Sequence, residues 1–224
     1  MLAEFTAYLD GLEKTEYLDI HFERYSRTWR AFEKALLESK EILELGQLSP
    51  LASFCHTRLG KSVSSYTRDL RFAFDLPPQR FDLVLSLEVI EHVNDPLQPT
   101  SHIDEIAMFQ KGGAQNMLRE CRRVLKDSGA LCLTTPNASS IDVLGNVLMR
   151  RTPFQYEYHV REYTRSEVAE MAACAGFSLR AYTSFFAWNS RPDIDRDRLM
   201  KQLGSLGFDM SDRGDDAAYL FIAS

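Results

Sequence analysis

The chain has 224 residues, a formal net charge of −6 and 45% hydrophobic residues. That length fits one domain with a packed core, and the hydrophobic content excludes an intrinsically disordered chain. The acidic charge would repel a phosphate backbone, so nucleic acid is not an expected partner. No apolar run is long enough to span a bilayer and the first residues lack the pattern of a signal peptide, so we expect a cytoplasmic protein that contacts no membrane.

The first predicted elements are one or two helices over residues 2–38. Apolar side chains recur there at the i, i+3, i+4 and i+7 spacing of one helical face, namely Phe22, Tyr25, Trp29, Phe32, Ala35 and Leu36. We therefore expect residues 1–39 to form a helical cap over one end of the fold.

Strands and helices alternate through the rest of the chain. Apolar runs predict strands at 41–46, 61–67, 81–87, 130–136, 178–186 and 218–224. Helical spacing or capping signals predict helices at 114–126, from about Ile141 to Leu148, from the capping box Thr164–Glu167 to Gly176, and at 194–205. The polar residues 93–113 are expected to form an inserted loop. This alternation is typical of an α/β fold with a mainly parallel sheet, in which ligands bind at the carboxyl ends of the strands.

Isolated cysteines and histidines carry little chemical information. Four cysteines have no C-x-x-C spacing and are expected to be buried, reduced thiols: Cys55, Cys121, Cys132 and Cys174. Three histidines stand outside any cluster of the E-x-x-E-H kind and are expected on the surface or in loops: His21, His56 and His102.

Four segments, in this order, carry a resemblance to a known family. They are ILELG at 42–46, FDLVLSLEVIEHVNDP at 81–96, MLRECRRVLKDSGALCLTTPN at 117–137 and HVREYTRSEVAEMAACAGF at 159–177. Together they resemble class I S-adenosylmethionine-dependent methyltransferases, in the small-molecule branch of types 11 and 23. The resemblance covers roughly residues 40–185 and implies a three-layer Rossmann-like fold with a mostly parallel, seven-stranded sheet, which together with the length gives a single domain over 1–224. The segment between Gly46 and Phe81 is short, so we expect the sheet to be shortened near strands 2 and 3.

The resemblance also implies S-adenosyl-L-methionine as cofactor and a set of residues that contact it. Leu48 and Pro50 stand where the family has further glycines, and they restrict the backbone of the turn. The expected contacts are Glu44, Leu45 and Gly46 after the first strand, Asp69 and Leu70 at the adenosine, and Ser86, Leu87 and Glu88 at the end of the central strand.

The run Glu88-Val-Ile-Glu91-His92 follows the central strand and is the main candidate for chemistry. Carboxylate and imidazole groups suit Mg²⁺ or Mn²⁺, and a similar run binds metal in ubiquinone-biosynthesis O-methyltransferases and small-RNA 2′-O-methyltransferases. The metal hypothesis uses Glu88, Glu91, His92 and His159. In the competing hypothesis His92 alone is the catalytic general base, and in a third it only caps a turn. The side chains around His159 are candidates for an acceptor pocket: Tyr156, Tyr158, Arg161 and Tyr163.

The sequence therefore predicts a methyltransferase that acts on an oxygen of a small-molecule methyl acceptor, such as a sugar or another polar metabolite. N-methylation stays open. The alternative is a methyltransferase-like binding or scaffold protein whose degenerate glycine motif no longer binds the cofactor. An RNA-modifying enzyme would need a basic strip near the pocket, built from Arg122, Arg123, Arg150, Arg151 and Arg161. The oligomeric state is not predicted.

Overall fold

A computed structural model describes residues 1–95, 112–188 and 193–224. The helices are α1 (Leu2–Asp10), α2 (Glu16–Glu38), α3 (Pro50–Thr57), α4 (Gly112–Val124), α5 (Ile141–Leu148), α6 (Arg165–Cys174) and α7 (Arg196–Ser205). The strands are β1 (Glu41–Leu45), β2 (Ser62–Tyr66), β3 (Phe81–Leu87), β4 (Leu125–Pro136), β5 (Phe177–Phe185) and β6 (Asp216–Ala223). Most of the predicted loop 93–113, with His102, lies outside the described residues.

The strands form one sheet in the order β2-β1-β3-β4-β6-β5. The pairs β2-β1, β1-β3 and β3-β4 are parallel, whereas β6 runs antiparallel to both β4 and β5. The described residues thus carry six strands instead of the expected seven. Residues 67–80, between β2 and β3, form only turns and bends, so the sheet is shortened where the sequence predicted it.

Helices cover both faces of the sheet, because β1, β3 and β4 are apolar on both sides. On one face, α1, α2 and α3 pack through an aromatic cluster in which the rings of Phe5 and Trp29 stack at 4.9 Å and Phe54 meets Phe5 edge-on at 5.2 Å. On the other face, α4 contributes Met117 and α6 contributes Met171 to a second core. The architecture is the predicted three-layer α/β fold.

The boundary between α4 and β4 differs from the prediction. The helix ends at Val124 and the strand begins at once, because Leu125 pairs with Phe81 of β3. The regular register resumes only at Ala130, opposite Leu83, so the predicted stop at 127–129 is a bulge within the strand. A Cβ on Gly129 would lie 2.9 Å from the carbonyl oxygen of Lys126, which explains the glycine there.

The helix caps follow the sequence closely. Thr164 and Glu167 form the predicted capping box at the start of α6, in which each side chain bonds the other's backbone N–H. The Ser140 hydroxyl accepts from the Val143 N–H and caps α5. Gly176, which follows the C-cap residue Ala175 of α6, adopts φ +87°, a conformation that favours glycine.

The antiparallel β6 brings its first residue to the carboxyl edge of the parallel strands. Asp216 at the start of β6 pairs with Pro136 at the end of β4. Leu87, the last residue of β3, lies beside Thr134 at the same edge. The first half of α2 reaches over this edge, so side chains from four elements converge there. Among the described residues, no helix combines the length and apolarity needed to cross a bilayer.

Two of the predictions for isolated residues are wrong. Cys174 is exposed at the end of α6, whereas Cys55, Cys121 and Cys132 are buried free thiols as predicted. His21 is buried on the inner face of α2, where burial lowers its pKa to about 4. His56 is exposed, as predicted.

Candidate functional site

A tight turn after β1 forms the floor of the candidate site. Gly46 has φ +93°, and its N–H donates to the Tyr66 carbonyl at 2.8 Å. The nearest atom to a Cβ built there would be Val89 Cγ2 at 4.0 Å, so the space beside the turn is open. Glycine is needed for the backbone angle alone.

The two substitutions in the glycine motif fit this turn. Pro50 is the first residue of α3, where a missing N–H leaves no hydrogen bond unmade. Ser49 caps the helix by accepting from the Ala52 N–H at 3.1 Å. Leu48 is about half exposed and lines the cavity beside the turn without filling it.

Glu44 is buried at the end of β1, and its Oε2 accepts from the Ser49 N–H at 2.7 Å. Burial raises the pKa of Glu44 to about 7, although the hydrogen bonds from Ser49 act in the opposite direction. A buried carboxyl with a raised pKa gains from a nearby cation, because a positive charge favours its ionised form.

A cavity of about 470 Å³ lies between the turn, the end of β3 and the first part of α2. That volume falls in the range of small-molecule sites, about 300–1,000 Å³. Five of the predicted cofactor contacts line the cavity, namely Glu44, Leu45, Gly46, Leu87 and Glu88. Its charged lining consists of three glutamates (Glu13, Glu44 and Glu88) and one arginine, Arg24.

Arg24 is a site residue that the sequence did not reveal. It extends from α2 to the end of β3, where its NH1 lies 3.3 Å from Glu88 Oε2. Burial alone would lower the pKa of Arg24, but the charges of Glu88 and Asp216 raise it. Glu88 itself has φ +56°, an unusual backbone angle for a residue with a side chain, and such angles concentrate at functional sites.

Four buried carboxylate oxygens at this edge of the sheet have no hydrogen-bond partner among the described residues: Glu88 Oε1, Glu91 Oε1, Glu162 Oε2 and Asp216 Oδ2. Buried polar atoms are nearly always satisfied in folded proteins, so unpaired ones indicate missing water, ions or ligands. Burial, and then the charge of Glu88, raise the pKa of both Glu91 and Asp216 well above the ordinary range. This edge of the sheet therefore suits positively charged ligands.

The residues after β3 form a compact cluster of donors. Ile90–His92 make a short 3-10 helix, and ligand atoms of Glu91, His92 and His159 lie within 4.8 Å of one another. Glu91 is fully buried and its Oε2 accepts from Thr135 Oγ1 at 3.0 Å. His92 is about half exposed, and partial burial together with His159 lowers its pKa.

Glu88 does not belong to this cluster, contrary to the predicted set of four metal ligands. Its Oε2 is engaged by Arg24, and it influences Glu91 and His92 only through its charge. A residue three positions before Glu91 would share its face on an α-helix, but the positive φ at Glu88 turns the chain first.

Three predicted cofactor contacts lie outside the cavity lining. Asp69 is exposed and accepts from the Arg71 guanidinium, which lowers its pKa. Leu70 is half-buried and packs against the core around Tyr66. Ser86 is fully buried within β3, and its Oγ has no hydrogen-bond partner in the part of the chain that the structure describes.

The predicted acceptor-pocket residues divide into two groups. The rings of Tyr156 and Tyr158 are exposed and pack edge-to-face, with centroids 5.1 Å apart. The centroid of the Tyr156 ring lies 5.3 Å from that of the His159 ring. Tyr163 is buried in the core, and Arg161 is paired with Glu167 at 2.5 Å. Only the first two tyrosines are therefore accessible beside the cluster.

The arginines of the hypothetical basic strip are largely neutralised by acidic partners. Arg122 pairs with Asp127, Arg123 with Glu120 and Arg151 with Asp193. The local charge therefore gives no support to nucleic-acid binding.

Comparison with known sequences decides the family. The profile of the methyltransferase domain family matches residues 18–182. The chain belongs to this family. It is a class I methyltransferase of the type 11/23 branch, as the sequence motifs indicated.

A curated relative supports the assignment over part of its length. The chain is 29% identical over 120 residues to a Mycobacterium tuberculosis protein named "Probable S-adenosylmethionine-dependent methyltransferase". The alignment covers 54% of this chain but only 35% of the relative, so the chain matches about a third of that protein.

Solved structures confirm the fold. The CcbJ methyltransferase of Streptomyces caelestis aligns with a TM-score of 0.55 at 13% identity, over 88% of this chain and 89% of that one. The N-methyltransferase NodS of Bradyrhizobium japonicum, solved with S-adenosyl-L-homocysteine, aligns with a TM-score of 0.51 at 11% identity, over 99% and 97%. At these identities the likeness concerns the fold alone.

The residues at the cavity fit S-adenosylmethionine, the methyl donor that the family implies. The open turn at Gly46 lets a ligand approach the backbone closely. The excess of carboxylates over arginine suits the sulfonium and ammonium charges of this molecule.

Proposed function

We propose that this methyltransferase transfers the methyl group of S-adenosylmethionine to an oxygen of a small polar molecule. The observation that carries the proposal is that a residue lining the cavity and the candidate base are close together in the chain. Glu88 lines the cavity, and the next residues lead directly to the imidazole of His92. A methyl donor in the cavity and a proton acceptor a few residues further along the chain are the two components that O-methylation needs.

The residues expected to hold the donor are those that line the cavity. Glu44 and Glu88 provide negative charge, and the turn at Gly46 provides space against the backbone. When bound, S-adenosylmethionine supplies an electrophilic methyl group on a positively charged sulfur. Asp69, Leu70 and Ser86 remain predictions, since they lie outside the cavity lining.

His92 is the proposed general base. Its lowered pKa keeps the imidazole neutral near pH 7, so it can accept a proton. In the proposed step His92 takes the proton of the acceptor hydroxyl, the oxygen bonds to the methyl carbon, and the carbon–sulfur bond breaks. The sulfur keeps the electron pair and becomes a neutral thioether.

A divalent cation is a second candidate for the same three donors. Glu91, His92 and His159 present one carboxylate oxygen and two imidazoles, and Glu91 Oε1 is buried without a hydrogen-bond partner among the described residues. Mg²⁺ or Mn²⁺ there would lower the pKa of an acceptor hydroxyl and orient it. This set replaces the four-residue set predicted from the sequence. Chelation by EDTA followed by activity and thermal-shift measurements with each metal distinguishes the two proposals.

The first experiment is to replace His92 by alanine and to measure turnover and binding separately. We expect methyl transfer to hydroxyl acceptors to be lost, while the affinity for S-adenosylhomocysteine stays close to that of the wild type. His56→Ala is the matched control, because His56 is exposed on α3, away from the cavity lining. Loss of binding together with turnover in His92→Ala would show that His92 has a structural role instead.

A further inference from the structure

His159 has a buried acidic partner that the proposed function does not use. Glu162 Oε1 lies 2.7 Å from His159 Nδ1, and the side chains of His159 and Glu162 are 7% and 1% exposed. Because both side chains are buried, bulk water competes little for this contact, which therefore decides how the imidazole is oriented.

Glu162 is itself fixed by the backbone of the preceding loop. Its Oε1 accepts from the Gln155 N–H at 2.7 Å and the Tyr156 N–H at 3.4 Å. The same segment is tied to the donor cluster, because the Val160 N–H donates to the Glu91 carbonyl at 2.9 Å. The loop 155–160 therefore holds both the carboxylate of Glu162 and the backbone of Glu91 in place.

The direction of the hydrogen bond follows from the groups around it. Glu162 Oε1 already acts as an acceptor for backbone N–H groups, so the imidazole is the group that donates. Nδ1 of His159 then carries the proton, and Nε2 keeps its lone pair. A histidine whose one nitrogen is held by a carboxylate presents the other nitrogen as a stronger base or ligand.

We propose that Glu162 is a positioning residue that holds His159 as the Nδ1–H tautomer, with the Nε2 lone pair available to the cluster of Glu91 and His92. The role of this pair in methyl transfer rests on the proposed function, whereas the tautomer itself does not. Glu162 needs no contact with either substrate, because it acts through His159.

The test reads the tautomer directly by long-range ¹H–¹⁵N NMR of the histidine side chains at about pH 8.5, above the ordinary pKa of histidine. In the wild type we expect the Nδ1 signal of His159 at the shift of a protonated nitrogen and the Nε2 signal at that of an unprotonated one. The opposite pattern in the wild type would overturn the proposal, whatever the activity of the protein.

Variants separate positioning from folding. Glu162→Met removes the acceptor and should move His159 toward the Nε2–H tautomer, with kcat lowered by about 10- to 100-fold and unchanged affinity for S-adenosylhomocysteine. Glu162→Gln keeps an acceptor oxygen and should retain the tautomer and part of the rate. Glu157→Met is the matched control, because Glu157 is an exposed acid of the same loop. An unchanged tautomer in a folded Glu162→Met protein would contradict the proposal.

Assays of methyl transfer test the proposed function independently of the tautomer of His159. A wild-type protein that shows the Nδ1–H tautomer but no methyl transfer to any hydroxyl acceptor would refute O-methylation and leave the positioning role of Glu162 standing.

Discussion

Replacing Glu44 by glutamine tests whether this buried acid destabilises the free protein in order to meet a cationic ligand. The pKa of Glu44 is raised from 4.5 to about 7, mainly by burial. The folded chain therefore holds this proton more tightly than the unfolded chain does. The free energy of unfolding must fall as the pH rises from 4.5 through 7.

The size of the effect follows from the two pKa values. Each pKa unit corresponds to about 1.4 kcal/mol, so the buried carboxylate lowers the free energy of unfolding by about 3 kcal/mol at about pH 8.5 and by about 1 kcal/mol at about pH 5.5. Glutamine keeps an oxygen that can accept from the Ser49 N–H and has no proton to lose. The free energy of unfolding of Glu44→Gln, measured relative to that of the wild type, should therefore rise by about 2 kcal/mol from about pH 5.5 to about pH 8.5.

The assay is urea unfolding followed by circular dichroism at both pH values, without added ligand. Glu13→Gln is the control, because Glu13 is an exposed acid that lines the same cavity, and the solvated charge should give no such gain. Glu44→Gln should also bind S-adenosylmethionine more weakly than the wild type. A stability difference between Glu44→Gln and the wild type that does not change with pH would refute the reasoning.

Three further variants test the core, the turn and a helix cap. In urea unfolding, Trp29→Ala should lower the free energy of unfolding by about 3–5 kcal/mol because Trp29 is fully buried, whereas Phe72→Ala, at an exposed site, should change it by less than about 0.5 kcal/mol. Similar losses in the two variants would contradict the core assignment. Gly46→Ala and Gly60→Ala should each lower the free energy of unfolding by about 1–3 kcal/mol, because both glycines have positive φ. Calorimetry should show weaker binding of S-adenosylmethionine only for Gly46→Ala, and equal binding by the two variants would exclude the turn from the site. Thr164→Ala should lose about 1 kcal/mol of thermal stability through the capping box, and an unchanged melting temperature would contradict that role.

The fold could be predicted from the sequence because local signals agreed with the final packing. The run FDLVLSL became β3, buried on both faces, and the capping box at Thr164 began α6 as expected. The prediction failed where pairing between distant residues overrode local preference. Leu125 reads as the end of a helix, but its pairing with Phe81 makes it the start of β4.

The candidate site was predicted in part, because its residues come from segments far apart in the chain. Glu44 lies at the end of a strand, and Gly46 and Glu88 each directly follow one, so the parallel-sheet rule placed them at one edge correctly. Asp216 reached the same edge only because β6 runs antiparallel to β4, which no local pattern indicates.

Arg24 was missed, although a signal existed. His21, Arg24 and Thr28 are polar residues at helical spacing on the buried face of α2. A polar stripe on a face that should be apolar indicates a cavity or a ligand, and the sequence interpretation considered only the apolar residues of that helix.

Calorimetric titration of the wild-type protein with S-adenosylhomocysteine tests the central claim most directly, namely that the cavity beside Gly46 binds the methyl donor. We predict saturable binding of one molecule per chain, with a matching rise in melting temperature that is reduced in Gly46→Ala but not in Gly60→Ala. The absence of heat and of any thermal shift with both S-adenosylhomocysteine and S-adenosylmethionine would contradict the claim and favour a scaffold protein that has kept only the fold.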